Sequence, residues 1–314
     1  MNLKKPKIAI SIGDLSGIGP QIALLSHNQV KELCDPIYCI NQKLLDQICK
    51  KLGIKVPQDM ETFETKGDFT IEICKPNRNS GRFSFHSFVD AIKLTIDKKT
   101  DAVVTLPINK ESWKKADIRY KGHTEVLRDY FKSDAIMMLG CPKMFVGLFT
   151  EHIPLKKVSK SITTKKLKNF LIDFYREVKI ENIAVLGLNP HAGENGVLGD
   201  EEVKIAKAIA KANEILGKKI FKGPLVPDTA FAPHMREKYQ YFIAMYHDQG
   251  LAPLKSLYFD ESINVSLNLP IIRTSVDHGT AYDIAYKKDT TINTQSYINA
   301  IIEAIRLAQN KNQI

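Results

Sequence analysis

The chain has 314 residues, 44% hydrophobic and 25% charged, with a formal net charge of +10 and a pI near 9.2. Such a length exceeds what one small core fills, so one large α/β unit or two lobes are expected, with the composition of a soluble globular protein. No apolar run approaches the ~20 residues that a membrane-spanning helix needs, so no membrane partner is expected.

The basic balance would allow a polyanion partner. The lysines, however, are scattered over the polar faces of candidate helices, as at Lys156, Lys157, Lys160, Lys165, Lys166 and Lys168. No aromatic residues interleave with a basic stripe, so a solvated surface is favoured and no nucleic-acid partner is expected. Cys34, Cys39, Cys49, Cys74 and Cys141 form an odd set without a CxxC pair, which argues against a disulfide framework or a zinc knot. The basic start MNLKKPK is followed only by Ile8–Ile12 before Gly13 and Asp14, too short for a signal-peptide core. It reads as a first strand of a cytoplasmic protein.

Lys7–Ile12 is that strand, and it runs into GDLSGIGPQIALL. Glycines at 13, 17 and 19 match neither the dinucleotide fingerprint nor a P-loop. The loop either offers backbone N–H groups to an anion or is a tight strand-to-helix turn. Pro36–Ile40 reads as a strand, Gln42–Leu52 as a helix, Phe69–Cys74 as a strand-like piece, Gly81–Lys98 as a helix and Asp101–Leu106 as a buried strand. Asn109 and Lys110 follow in TLPINKESW. GHTEVLRDYF places His123 and Thr124 at a helix start, where Thr124 can serve as N-cap.

Ala135–Leu139 and Met144–Thr150 read as strands, Ser159–Glu177 as a helix, Asn182–Leu188 as a strand and Glu201–Leu216 as a helix. GPLVPDTAF makes a turn holding Asp228, Phe242–Tyr246 is a strand, and Thr291–Gln309 is a terminal amphipathic helix. This alternation implies a largely parallel sheet covered on both faces.

His152, His191 and His247 each follow shortly after an apolar, strand-like run. Strand ends in open α/β sheets are where ligands bind. One such histidine is more often structural than a ligand, but three in the same context point to a shared divalent cation such as Zn²⁺ or Co²⁺. Lys255, Asn264 and Arg273 supply cationic and amide donors in the same C-terminal stretch, and they read either as surface groups or as a grip on a carboxylate or phosphate.

The segments GDLSGIGP, LPINK, GHTE, TEHIPL, NPHAGENG, GPLVPDT, YHDQGLAPLK, INVSLNLPIIRTS and VDHGTAYDIA occur in the order seen in the 4-hydroxythreonine-4-phosphate dehydrogenase family. That family comprises NAD-dependent enzymes of pyridoxal-phosphate biosynthesis, and the resemblance covers nearly the whole chain. HGTAYDIA is also similar to the HGSAPDIAG loop of isopropylmalate dehydrogenases, a related fold without a Rossmann fingerprint.

The resemblance implies a two-lobed α/β/α fold, with lobe 1 spanning 1–125 plus 277–314 and lobe 2 spanning 126–276. It implies a homodimer whose active site lies at the subunit interface, in the cleft between lobes. His152, His191 and His247 would be ligands of a divalent metal (zinc, cobalt or magnesium) shared between subunits. His123, Thr124, Lys255, Asn264 and Arg273 would bind a small phosphorylated amino-acid substrate. The loop His278–Ala285, with Gly279, Thr280, Ala281 and Asp283, would hold the adenosine side of NAD or NADP.

The implied reaction oxidises 4-phosphooxy-L-threonine to a β-keto acid that decarboxylates to 3-amino-2-oxopropyl phosphate. Asp248 and Asp228 are the nearest carboxylates to serve as proton acceptor. A sister enzyme acting on threonate or erythronate 4-phosphate is the rival reading, and a non-catalytic phosphometabolite or nucleic-acid binder is a remote one. Leu15, Gln21, Asn268 and Tyr286 depart from the family pattern, the last two standing where a glycine is usual.

Overall fold

Four consecutive residues of the first apolar run, Ile8–Ser11, are buried, as a strand covered on both faces requires. The structure, a computed structural model, describes residues 5–287 and 289–311. Residues 1–4, 288 and 312–314 of the expected first lobe lie outside the described residues. The chain divides into two compact units, Met1–Ala135 with Ile263–Ile314, and Ile136–Ser262. The second unit is thus shorter at both ends than the 126–276 expected, and Asn264 and Arg273 belong to the first.

The first unit contains β1 (Lys7–Ser11), α1 (Gly19–Leu25), α2 (His27–Leu33), β2 (Asp35–Cys39), α3 (Gln42–Leu52), β3 (Thr62–Phe63), α4 (Arg78–Ile96), β4 (Ala102–Thr105), α5 (Lys110–Lys115) and α6 (His123–Phe131), then β10 (Ile263–Leu267), β11 (Arg273–Val276) and α12 (Gln295–Lys311). Its strands lie in the order β3-β2-β1-β4-β11-β10. All neighbours are parallel except β10 and β11, which pair antiparallel. The second unit contains β5 (Ile136–Cys141), β6 (Met144–Leu148), α7 (Val158–Ser161), α8 (Thr164–Val178), β7 (Ile183–Leu186), α9 (Glu201–Leu216), β8 (Phe221–Leu225), α10 (Pro233–Lys238), β9 (Tyr241–Ala244) and α11 (His247–Tyr258). Its strands run β5-β6-β9-β7-β8, with only β5 and β6 antiparallel. The mixed α/β class is as expected, and the two antiparallel pairs qualify the parallel reading.

Local chemistry explains the element ends. Asn41 caps α3 by accepting from Leu44 N, and Gly53 ends it in the left-handed conformation. Phe69–Cys74 forms no strand. Its neighbours Gln47 and Ser16 take its backbone groups instead, through Gln47 to Phe69 O and Ile71 N, and through Ser16 Oγ to Glu72 O. The helix expected over 159–177 is broken, because Ile162 is extended and Thr163 starts α8 afresh by capping Lys166 N. The first unit's core gathers Phe88, Ile92, Val103, Trp113 and Leu127, and the second unit's gathers Met144, Val146, Leu186, Phe242 and Leu254. No helix among the described residues is long and apolar enough to cross a membrane.

Candidate active site

In the first unit, β1, β4 and β11 are parallel neighbours, so the loops after them leave from one sheet edge. Asn109, in the loop after β4, is the N-cap of α5 and accepts from Ser112 N. Lys110 is exposed. Thr124 is not the N-cap of α6. Gly122 holds that place without a side-chain bond, and Thr124 is the second helical residue.

Arg273 is only 2% exposed. Its Nη2 donates to Thr105 Oγ1 at 2.7 Å and its Nη1 to Ser266 Oγ at 3.2 Å, while Nε is buried without a partner. No carboxylate among the described residues pairs with it. Burial alone pulls the guanidinium down to about 9, so it stays cationic at neutral pH and bears an uncompensated desolvation cost.

His123 packs edge-on against Phe88, with ring centroids 4.4 Å apart, and against Trp113 at 5.7 Å. Desolvation, assisted by the Arg273 charge, holds its imidazole well below the ordinary range, so the ring is neutral. His123 Nε2 and Asn264 Oδ1 are further buried atoms without a hydrogen-bond partner. Three of the expected substrate residues therefore each carry an orphaned buried polar atom, which is costly unless a polar ligand arrives. Lys255 lies on α11 in the second unit, with Nζ 5.4 Å from the Phe259 ring centroid.

The loop of residues 278–286 follows β11 and is fastened to the loop after β1. Ile18 N donates to Thr280 O at 3.0 Å. Gly17 admits this approach, since a Cβ there would stand 2.6 Å from Thr280 O. Tyr282 donates to the buried Asp14 carboxylate, which also accepts from Ser16 N and Ser80 Oγ. Tyr286 N donates to Gln21 Oε1 at 2.8 Å and its hydroxyl to Leu15 O at 2.6 Å. Three of the four departures noted in the sequence thus meet one another. Asn268 and Tyr286 have φ values of 59° and 58°, the left-handed region that glycine fits best. Gly279 and Asp283 are exposed, whereas Thr280 and Ala285 are buried. The roles of Asp14 and Tyr282 in tying these loops together are not legible in the sequence, because nothing in their spacing reveals that residues so distant in the chain meet.

In the second unit, β6, β9 and β7 are adjacent and parallel. His152, His247 and His191 follow their respective carboxyl ends. The rings of His152 and His247 lie 5.4 Å apart, centroid to centroid. His247 Nδ1 is 2.7 Å from Asp248 Oδ1, so Nε2 is the ring nitrogen left to meet a ligand. Two imidazoles so placed, one oriented by a carboxylate, fit a divalent cation. Asp248 and Asp228 are both exposed.

His191 is exposed, and no group of three such side chains among the described residues is placed to hold a metal. The convergence of all three rings within one protomer is therefore not found. Their segments are nonetheless stitched together. Thr150 Oγ1 donates to Met245 O, Met245 N donates to Gln249 Oε1, and Gln249 Nε2 donates to Gly187 O.

His191 rides on a left-handed turn. Residues His191, Ala192, Gly193, Glu194, Asn195 and Gly196 all have positive φ. That conformation costs roughly 1–2 kcal/mol for each residue bearing a Cβ. Ile153, Leu155, Val197 and Leu198, on the segments that carry His152 and His191, are exposed.

Residues 32–304 match the family model described as pyridoxal phosphate biosynthetic protein PdxA. A 4-hydroxythreonine-4-phosphate dehydrogenase of Sulfurimonas denitrificans is 60% identical, over 98% of this chain and 99% of that protein. One of Campylobacter fetus is 55% identical, over 96% and 98%. The crystal structure of the Klebsiella pneumoniae 4-hydroxythreonine-4-phosphate dehydrogenase superposes with a TM-score of 0.81 at 30% identity, covering 98% of this chain and all of that one. Sequence, fold and the sheet-edge loops agree: the chain belongs to the PdxA family of pyridoxal phosphate biosynthesis and is an oxidoreductase of the 4-hydroxythreonine-4-phosphate dehydrogenase family.

Proposed function

We propose that the chain oxidises 4-phosphooxy-L-threonine at C3 with NAD or NADP, in a divalent-metal-dependent reaction whose β-keto acid product loses CO₂ to give 3-amino-2-oxopropyl phosphate. The observation that carries this reading is the buried Arg273, with no acid partner, beside the orphaned atoms of His123 and Asn264. An anionic substrate offers that guanidinium the countercharge it lacks, and the planar fork suits phosphate or carboxylate. His123 Nε2 and Asn264 Oδ1, buried without partners, would exchange hydrogen bonds with the polar groups of the same molecule. Thr124 and Lys255 are the remaining side chains proposed to bind substrate. Together these groups fix which carbon faces the nicotinamide.

His152, His191 and His247 would hold the cation. Because no trio forms within the described residues, His191 of the partner subunit is proposed to complete the His152–His247 pair in a homodimer. The exposed Ile153, Leu155, Val197 and Leu198 support an interface on those segments. A cation held there would supply positive charge favouring ionisation of the substrate hydroxyl, and a nicotinamide held by the loop after β11 would supply the hydride acceptor. Asp248 fixes the His247 tautomer. Asp228 and Asp248 are the carboxylates proposed for the hydroxyl proton. The loop His278–Ala285, with Gly279, Thr280, Ala281 and Asp283, would receive the adenosine side of the nucleotide. Five free cysteines, four of them buried, suit a cytoplasmic setting.

The test is reduced-nicotinamide absorbance with the amino-acid phosphate and, side by side, threonate and erythronate 4-phosphates, each with and without chelator. Chelator-sensitive turnover of the amino-acid phosphate is expected. Turnover of the hydroxy acids alone would reassign the substrate, and absence of any turnover would sink the reading.

A further inference from the structure

The left-handed turn that carries His191 has no intrinsic reason to persist, since four of its six positions bear a Cβ. Something outside the turn must hold it, and one side chain touches both its entry and its middle. Glu202, on the first turn of α9, is 8% exposed. Its Oε1 accepts from Leu188 N and Asn189 N, each at 2.8 Å, and its Oε2 accepts from Asn189 Nδ2 at 2.9 Å. These bonds fix the entry to the turn. Within the turn, a Cβ built on Gly193 would stand 2.6 Å from Oε2 and 2.8 Å from Gly199 O, so the turn is folded against the carboxylate there with no room for a side chain. A Cβ on Gly199 would stand 2.2 Å from Asn189 Nδ2, and one on Gly187 would stand 3.1 Å from Glu202 Oε1. No lysine or arginine pairs with Glu202 among the described residues. Its oxygens are spent on the backbone and on Asn189.

We infer that Glu202 is a positioning residue, which clamps residues 187–199 in the left-handed course that presents His191 outward for metal binding. The assignment rests on the proposed role of His191 as a ligand. The clamp is made of hydrogen bonds and close packing. A glutamine keeps one acceptor for Leu188 N and Asn189 N but turns a donor toward Asn189 Nδ2, whereas an alanine removes every bond.

The experiment is titration of the metal-free dimer with Co²⁺, followed by its ligand-field absorption, together with amide hydrogen exchange across residues 187–199. Glu202→Ala should bind Co²⁺ about 10- to 100-fold more weakly, the range for loss of an outer-shell partner. It should also lose exchange protection at Leu188 and Asn189, and Glu202→Gln should fall between Ala and wild type. Leu171→Ala, which empties a core position on α8 of the same unit, should lower the melting temperature while leaving Co²⁺ affinity unchanged, which separates positioning from general stability. If His191→Ala loses Co²⁺ but Glu202→Ala binds like the wild type, the clamp is overturned and the ligand assignment stands. If His191→Ala itself binds Co²⁺ normally, the ligand assignment fails, and the role given to Glu202 fails with it.

Discussion

Tyr282 donates its phenol to the carboxylate of Asp14 across 3.0 Å, and Asp14 is wholly buried. Burial next to that carboxylate pushes the phenol's pKa up, so it remains a donor throughout the working pH range. Replacing Tyr282 with Phe removes one of the donors that offset a buried charge. A loss of about 1–3 kcal/mol in unfolding free energy is expected. The Michaelis constant for the nicotinamide nucleotide should rise with little change in kcat, as steady-state kinetics would read. An unchanged Michaelis constant would separate this loop from nucleotide binding.

Arg273 carries a desolvation cost that the proposed anionic ligand would relieve. Inorganic phosphate should therefore raise the melting temperature, by an amount equivalent to about 2.7 kcal/mol when its concentration is 100 times its dissociation constant. Arg273→Met should abolish that response and melt no lower than the wild type without phosphate, since an unpaired buried charge has been removed. Its kcat/KM for phosphorylated substrate should fall by roughly 100-fold, equivalent to about 2.7 kcal/mol. A phosphate response that survives in Arg273→Met would remove this residue from the anion site.

His123 gives a pH dependence whose sign is fixed. Its folded pKa lies below the ordinary 6.5, so in acid the unfolded chain binds a proton that the folded chain refuses. Stability should fall as pH drops below 6.5, approaching about 1.4 kcal/mol per pH unit from this group, and the contribution should be flat above that. His123→Phe, which keeps a ring against Phe88 and Trp113, should flatten the acid limb measured by urea unfolding. An identical slope in that variant would show that another group controls the transition.

His152 and His247 stand close enough to share a ligand. His191→Ala should abolish chelator-sensitive turnover while leaving the circular dichroism spectrum unchanged. Asp248→Asn should weaken metal binding by about 10- to 100-fold, because it loosens the His247 tautomer. Activity that is intact and indifferent to chelator in the His191 variant would remove the metal from the mechanism.

Much of this architecture could be read along the chain where local signals agree. Gln42–Leu52 and Glu201–Leu216 are helices with the residue bounds expected, because each has a clear apolar stripe and a closing glycine, at Gly53 and Gly217. The break at Ser161–Thr163 was hidden, since Thr163 looks equally at home inside a polar helix face and at a cap. That each of the three histidines follows a strand is legible in the sequence, and the strand order sets β6, β9 and β7 side by side. What composition and spacing conceal is the environment of a side chain. Arg273 reads as an ordinary arginine until burial strips it of countercharge, and Glu202 reads as one more acid at the start of a helix until its oxygens are seen to hold the preceding loop.

The fastening of Thr280, Tyr282 and Tyr286 to the loop after β1 has a thermodynamic consequence for the nucleotide proposed to bind there. A nucleotide settling on a segment already tied down in the ligand-free protein gives up little affinity to freezing backbone. The adenosine end proposed to bind there would then act as a preorganised handle, so that truncated nucleotides lacking the nicotinamide ring should still compete for the same berth.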